Sequence, residues 1–283
     1  MFETSWAVAA TTQTLGDTDK ALADYEILLG KIDIVEDSPI NSAVVQNSAG
    51  KLFFEGGKID EAVDSFTKAL DGAESQNDPA LKTDIMLNLA NALSAKDDVD
   101  GAFDLYEELE RIGKRKRGKM YFLTLYNKSL LLIKIGETEQ ATDILHDIIE
   151  TRSSKADDTR GNVYITLGNL SVERKKIDNG LRYYENALDM FVDEHYDLPS
   201  ITQTKKFMAL AYMQLKKYDM SITILEDALT ELSQPGMERK LYQLMKAEIW
   251  SCMSKVYQRR GDHASAKNFA KLGKFEVLLR LHV

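Results

Sequence analysis

The sequence contains a single cysteine, Cys252, which excludes an internal disulfide framework and any metal cluster built from cysteines. Proline and glycine are scarce, at 4 and 16 residues, which argues against an all-β or loop-rich fold. No apolar run approaches the roughly 18 to 20 residues of a membrane span. The N-terminal residues are acidic rather than basic, so we expect no secretory signal. Together these absences favour a protein of the reducing cytoplasm.

The net charge of -9 is distributed unevenly along the chain. Residues 1–100 carry 7 Lys/Arg against 19 Asp/Glu, whereas residues 201–283 carry 14 against 8. The overall acidity argues against direct binding of nucleic acid, because its phosphates would be repelled. The opposed ends are consistent with self-association or with a partner of mixed charge. The interpretation that we favour is ordinary solvated helix faces.

Seven similar segments recur along the chain, and each one follows an amphipathic helix and opens another. Two columns of the aligned segments, twelve residues apart, contain only small residues, which lets neighbouring helices approach closely. A third column contains mostly large side chains, which we expect to fill the layer between hairpins. The first column is Ala21, Ala62, Ala102, Ala141, Gly180, Ser221 and Ala266, the column before it is Ala9, Gly50, Ala90, Ser129, Gly168, Ala209 and Ser254, and the large residues are Tyr25, Phe66, Tyr106, Leu145, Tyr184 and Leu225.

Glycine stands between the two helices in several copies, where a left-handed residue ends the first helix. Two positions depart from the pattern, because Lys128 occupies a place that is normally apolar and Ala270 stands where an aromatic residue is expected. The turn glycines are Gly16, Gly57, Gly136 and Gly261.

This set of offsets resembles the tetratricopeptide repeat (TPR). The copies begin near residues 2, 43, 83, 122, 161, 202 and 247, so their spacing exceeds the usual value of about 34 residues. Such long repeats look like those of kinesin light chains, LGN-type polarity scaffolds and bacterial peptide-pheromone receptors. The resemblance implies an all-α fold, a right-handed superhelical α-solenoid of about seven hairpins. It implies one array over residues 1–283, with the last repeat as a cap.

Residues that could carry chemistry are dispersed. The four histidines lie far apart, and only His146 has acidic neighbours at helical spacing, Asp143 and Glu150, which are expected by chance on a charged helix face. An enzyme built on such helices would need an inward cluster of polar catalytic groups, which we cannot locate in the sequence. We therefore predict no catalytic residue, no metal site and no cofactor.

A basic segment, residues 113–119 (GKRKRGK), joins the third and fourth repeats. It lacks the glycine and lysine spacing of a phosphate-binding loop. One interpretation is a basic patch for an acidic partner or for nuclear import. The other is a solvated turn, because short basic runs are common.

The TPR resemblance makes the first helix of each repeat the lining of a concave groove. Asparagine recurs at the inward positions, and one amide can both donate to and accept from a peptide backbone. The alternative is that some of these amides serve helix caps or packing networks. The predicted peptide-binding residues are Asn47, Asn88, Asn91, Asn127, Asn162, Asn169, Lys206, Lys255 and Arg259.

We therefore predict a non-enzymatic scaffold or adaptor that binds a peptide or helix of a protein partner in its groove, without direct contact with nucleic acid or membrane. The alternative is the peptide-sensing regulatory domain of a bacterial pheromone-receptor-type regulator that lacks its DNA-binding module. A DNA-binding helix-turn-helix would distinguish the two, and the sequence begins with a TPR-like helix instead.

Overall fold

The computed structural model describes residues 20–21, 23–27, 42–76, 78–151, 157–194, 197–233 and 240–279. Within these ranges the chain is helical, with short turns and no strand. It divides into two compact units, Met1–Ile144 and Leu145–Val283, which are described separately. The helices with described bounds are α1 (Ser42–Glu55), α2 (Ile59–Gln76), α3 (Pro79–Ala95), α4 (Val99–Gly113), α5 (Lys119–Lys134), α6 (Thr138–Glu150), α7 (Asp157–Glu173), α8 (Ile177–Glu194), α9 (Leu198–Gln214), α10 (Tyr218–Glu231), α11 (Lys240–Arg260) and α12 (His263–Leu279).

Short sequence signals explain where several helices begin. Asp78 precedes α3, and its carboxylate accepts hydrogen bonds from two backbone N–H groups of the first turn, both at 3.0 Å. Pro79 follows in the first turn, where its missing N–H would have had no partner inside the helix. Asp98 starts α4 in the same way and accepts from the Gly101 N–H at 3.1 Å. Each carboxylate satisfies a backbone donor that has no partner inside its helix.

The described turns inside the hairpins contain a residue with positive φ at the same position of the aligned segments. Glycine takes that position in the turns before α2, α6 and α12, as predicted, whereas Gly16 lies outside the described residues. Other residues take it in the turns before α4, α8 and α10, although the left-handed conformation costs a non-glycine residue roughly 1–2 kcal/mol. The φ values are 74° for Gly57, 91° for Gly136, 94° for Gly261, 67° for Asp97, 62° for Lys175 and 59° for Lys216.

The two columns of small residues face each other inside a hairpin. Ser221 on α10 donates its hydroxyl to the carbonyl oxygen of Ala209 on α9 at 2.7 Å. Ser254 on α11 does the same to Ala266 on α12 at 2.8 Å. Side chains in these columns touch the backbone of the paired helix, so larger residues would force the two helices apart. All the described column residues are buried except Ser254, which is half-buried, and this burial agrees with the role.

The large residues of the third column pack onto the small ones. A Cβ added to Gly50 would lie 2.6 Å from the Phe66 ring, and one added to Gly168 would lie 2.4 Å from the Tyr184 ring. The Tyr184 ring also stacks on Phe207 of the next hairpin, with centroids 5.9 Å apart and planes at 18°. This column therefore fills the layer within a hairpin and, at Tyr184, the layer between hairpins.

Lys128 is accommodated in the first unit by partners on α4. Its side chain is 12% exposed, and its Nζ lies 3.0 Å from Glu110 Oε2 and 3.7 Å from Glu107 Oε1. The same nitrogen lies 5.0 Å from the centroid of the Phe103 ring. The departure from an apolar residue is thus compensated by charge pairing and by a cation–π contact.

Two further observations concern other kinds of site. Across the described helices, none is both long enough and apolar enough to span a bilayer. In the described part of the chain, no group of three His, Cys, Asp or Glu side chains is placed to hold a metal ion. His146 instead lies beside the Tyr183 ring, with centroids 6.4 Å apart.

Candidate functional site

The predicted site residues stand on the first helices of the hairpins. We call the surface built by α1, α3 and α5 the first-helix face of the first unit, and the surface built by α7, α9 and α11 the first-helix face of the second unit. These helices contact one another within each unit, α1 with α3, α3 with α5, α7 with α9 and α9 with α11. Side chains on successive first helices are therefore close enough to interact.

A cluster centred on Asp84 connects α1 and α3 in the first unit. One carboxylate oxygen of Asp84 accepts from Asn47 Nδ2 at 2.9 Å and from Lys51 Nζ at 3.0 Å. Asn88 Nδ2 in turn donates to Asn47 Oδ1 at 2.9 Å. Asn47 is buried, with 5% of its surface exposed. The structure thus brings the predicted Asn47 and Asn88 together and adds Asp84, which the prediction of binding residues had omitted.

A second cluster connects α3 and α5. Asn91 Oδ1 accepts two hydrogen bonds, from the Tyr106 hydroxyl at 2.7 Å and from Asn127 Nδ2 at 2.9 Å. Burial raises the pKa of Tyr106 well above its ordinary value, so its hydroxyl stays protonated and acts as the donor. The Asn91 amide thus directs its oxygen at both donors. Its two N–H groups are left without a partner among the described residues.

The second unit repeats this arrangement. The Tyr184 hydroxyl donates to Asn169 Oδ1 at 2.7 Å. The pKa of Tyr184 is also raised, by burial first and by the nearby charge of Glu173 second, so this hydroxyl too is a donor. The Asn169 amide is therefore oriented like that of Asn91, with N–H groups unpaired among the side chains that the structure describes.

Tyrosine and asparagine occur together at these two positions of the aligned segments. The tyrosine is fifteen residues after the asparagine in both cases, Asn91 with Tyr106 and Asn169 with Tyr184. Where the first position is leucine, the second is leucine as well, in the pairs Leu130 with Leu145 and Leu210 with Leu225. The sequence pattern predicts the tyrosines only as packing residues and does not predict the role of their hydroxyl groups. This pairing of residue types was the available signal.

Lys206 is engaged in an ion pair in the second unit. Its Nζ lies 2.6 Å from Glu248 Oε2 on α11, with the two side chains 16% and 59% exposed. The same nitrogen lies 5.9 Å from the centroid of the Phe207 ring. This predicted cation is thus already paired on the first-helix face.

The remaining three predicted residues lie apart from these pairs. Asn162 on α7 and Lys255 and Arg259 on α11 are exposed. Their side chains make no hydrogen bond or ion pair with the residues that the structure describes. Lys255 and Arg259 are one helical turn apart, so the second unit presents two unpaired positive charges on one helix.

Comparisons with known proteins bear on the fold. Residues 207–231, which cover the C-terminal part of α9 and all of α10, match the family described as tetratricopeptide repeat. A tetratricopeptide repeat protein from Parabacteroides merdae ATCC 43184 is 17% identical, with 97% of this chain and 93% of that chain covered and a TM-score of 0.60. The fold is the TPR fold.

Two further solved structures share the TPR fold. The apo form of the quorum sensor NprR from B. thuringiensis is 14% identical, with coverage of 96% and 87% and a TM-score of 0.60. The apo form of RapI is 13% identical, with coverage of 97% for both chains and a TM-score of 0.65. No curated protein sequence matches the chain. At these identities the likeness concerns the fold.

Proposed function

We propose that this chain is a non-enzymatic scaffold or adaptor that binds a peptide segment of a protein partner along its first-helix faces. The observation that carries the proposal is the orientation of Asn91 and Asn169. Each oxygen accepts from a buried tyrosine hydroxyl, at 2.7 Å in both cases, which leaves the N–H groups available. Carbonyl oxygens of a bound backbone need such donors.

Preorganisation favours this use of the two amides. A free asparagine side chain loses rotamer freedom when a ligand orders it, and this loss weakens binding. The tyrosine hydroxyls already hold these two amides in the unbound chain. The face further supplies aliphatic side chains and unpaired cations, which are groups that bind rather than react.

The proposal includes a cytoplasmic location and a protein or peptide ligand, with no direct role for nucleic acid or membrane. The alternative function, a peptide-sensing regulatory domain, uses the same binding step. A ligand that changes the contacts of this chain with a second protein would favour the sensor, whereas a ligand that is itself part of the partner would favour the scaffold.

The test replaces only the proposed donors. Asn91→Asp and Asn169→Asp keep an oxygen for the tyrosine hydroxyl and remove the N–H groups. Asn179→Asp, at an exposed site on α8, makes the same charge change away from the first-helix face.

Peptides are selected on the immobilised wild-type chain from a displayed library of random 12-residue sequences. Their dissociation constants are then measured by fluorescence anisotropy.

We expect at least one of the two face variants to weaken binding about tenfold, since one lost hydrogen bond is worth about 1 kcal/mol and the added charge opposes a carbonyl oxygen. The Asn179→Asp variant should bind like the wild type. Equal affinity for all four chains, or the absence of any selected peptide, would contradict the proposal.

A further inference from the structure

Helix α5 exposes two leucines on the first-helix face of the first unit. Leu123 is 38% exposed and Leu130 is 39% exposed. They are seven residues apart, which is two helical turns and about 10.5 Å along the helix. Asn127 lies between them on the same side of the helix. We call Leu123 and Leu130 the leucine stripe.

A basic turn precedes the same helix. Lys114, Arg115 and Lys116 are exposed, and their side chains make no ion pair or hydrogen bond within the described ranges of the chain. We call these three residues the basic turn. They stand at successive positions, and no carboxylate pairs with them among the described residues.

Hydrogen bonds hold the backbone of the basic turn in place, although its side chains are exposed. The N–H groups of Lys116 and Arg117 both donate to the Gly113 carbonyl oxygen, at 3.1 and 2.8 Å. The Arg117 guanidinium lies 5.6 Å from the ring centroids of both Tyr121 and Phe122. Because both rings are buried on α5, the turn is anchored to the N-terminal end of that helix.

The distance between the turn and the leucine stripe limits the spacing of the side chains in a ligand that contacts both. Gly118 caps α5, and Leu123 follows five residues later, about 7.5 Å along the helix. Two or three residues of an extended peptide cover that distance. The positive end of the α5 dipole lies at the turn and adds to the attraction for negative charge.

We infer that the peptide bound by the first unit carries aliphatic side chains over the leucine stripe and, two or three residues away, acidic side chains at the basic turn. This inference rests on the proposed function and specifies its ligand. Apolar contact with the stripe removes leucine surface from water, and the carboxylates pair with cations that have no other partner. The acidic end of the peptide lies toward the N-terminus of α5.

The test uses the displayed library of random 12-residue peptides and the full chain. Enriched peptides should contain Leu, Ile, Val or Met together with Asp or Glu two or three residues away, above their frequency in the input library. Two face variants are then compared, Leu123→Ser/Leu130→Ser and Lys114→Glu/Lys116→Glu. Matched controls make the same changes elsewhere, at exposed apolar residues in Val192→Ser/Met220→Ser and at exposed cations in Lys267→Glu/Lys271→Glu.

We expect each face variant to raise the dissociation constant about tenfold or more and the controls to leave it within about twofold. The affinity of the wild type should fall with added salt, and that dependence should weaken in Lys114→Glu/Lys116→Glu because the screened charges are gone. Circular dichroism of each variant confirms that the helices persist.

Failure of the inference is distinguishable from failure of the proposed function. Peptides that depend on Asn91 but show no aliphatic or acidic bias, or that bind both face variants normally, would leave the proposed function standing and overturn the inference. The absence of any enriched peptide would overturn both. Binding of vesicles with 30% phosphatidylserine that requires the basic turn, with unchanged peptide affinity in Lys114→Glu/Lys116→Glu, would assign the turn to anionic lipid and overturn the inference.

Discussion

The two first-helix faces are held together by different interactions. In the first unit, hydrogen bonds connect neighbouring first helices, from Asn47 to Asp84 at 2.9 Å and from Asn127 to Asn91 at 2.9 Å. In the second unit, an exposed ion pair between Lys206 and Glu248 links α9 to α11. Amides, together with the Lys51–Asp84 ion pair, therefore organise one face, whereas the contact described between α9 and α11 on the other is an ion pair.

This difference separates two consequences of substitution. In the first unit, a polar group removed from the face leaves a neighbour such as the buried Asn47 without its partner, so stability and binding should change together. In the second unit, Asn162, Lys255 and Arg259 have no described partner to lose. Their replacement should change binding alone. The following experiments test this contrast, beginning with the largest expected effect.

Alanine at Gly50 or Gly168 should destabilise both units to a similar extent. The new Cβ would lie 2.6 Å from the Phe66 ring in one case and 2.4 Å from the Tyr184 ring in the other. Overpacking should exceed the roughly 1 kcal/mol that alanine adds to helix stability, for a net loss of about 2 kcal/mol in urea unfolding.

The two glycine variants should differ in binding. Displacement of Tyr184 moves the hydroxyl that orients Asn169, whereas Phe66 has no hydroxyl to move. Gly168→Ala should therefore lower the affinity for peptides whose binding depends on Asn169. Gly50→Ala should leave the affinity for the same peptides unchanged. The same loss of affinity in both variants would mean that a general loosening of the fold, and not the tyrosine hydroxyl, controls the amide.

Asp84→Ala should destabilise the first unit by about 1–2 kcal/mol, because Asn47 and Lys51 lose their shared acceptor. Glu248→Ala should cost less than about 1 kcal/mol in the second unit, because its carboxylate is 59% exposed. The free energies of unfolding in urea at pH 7 check both values. Asp64→Ala, which removes an exposed partner of Lys68, is the control for loss of a carboxylate. A larger cost for Glu248→Ala than for Asp84→Ala would reverse the contrast.

The sequence predicted the columns of small and large residues because each column meets a steric requirement within a single hairpin. Gly50 and Gly168 stand where an added Cβ would lie within 3 Å of an aromatic ring, so few residue types fit. Glycine at 57, 136 and 261 likewise has the positive φ that was expected. Such constraints recur in each copy and are visible as columns.

The partners of the asparagines on the first-helix faces could not be predicted in the same way. Asn47 and Asp84 are 37 residues apart, and their contact depends on how far one helix is displaced along its neighbour. A displacement of one residue, about 1.5 Å, would break a hydrogen bond without altering any column. The pairing of Tyr106 with Asn91 and of Tyr184 with Asn169 is different, because it lies within one repeat and the residue types reveal it.

Tyr184→Phe should affect binding more than Tyr106→Phe, although each should cost about 1 kcal/mol of stability. Asn91 keeps its bond from Asn127 when the Tyr106 hydroxyl is removed, whereas Asn169 has no second donor among its described neighbours. Peptide affinity measured for both variants checks this. Adding Asn127→Ala to Tyr106→Phe should lower affinity to the extent seen for Tyr184→Phe. An unchanged affinity would argue against a role in binding for the hydrogen bonds that hold the asparagine amides.

The same tyrosines predict an alkaline limit of stability. Their pKa values are raised in the folded chain above the ordinary value of about 10, so the folded state holds its phenolic protons more tightly than the unfolded state. This stabilisation is fully present below about pH 10 and is lost as the pH rises further. Between pH 9 and pH 11, Tyr106→Phe and Tyr184→Phe should each lose less stability than the wild type, as followed by urea unfolding. Parallel loss in all three chains would place the sensitivity at other groups.

The smallest expected effect is a difference in salt dependence between the two faces. A double-mutant cycle on Lys206 and Glu248 should give a coupling of about 0.2–1 kcal/mol at 0.1 M salt. It should shrink at 1 M salt, where the Debye length falls from about 10 Å to about 3 Å. The coupling between Asn47 and Asp84 joins a buried neutral amide to a carboxylate, so it should change little over the same range. If both couplings shrink equally, charge holds the two faces alike, and the division into an amide face and a charge face is wrong.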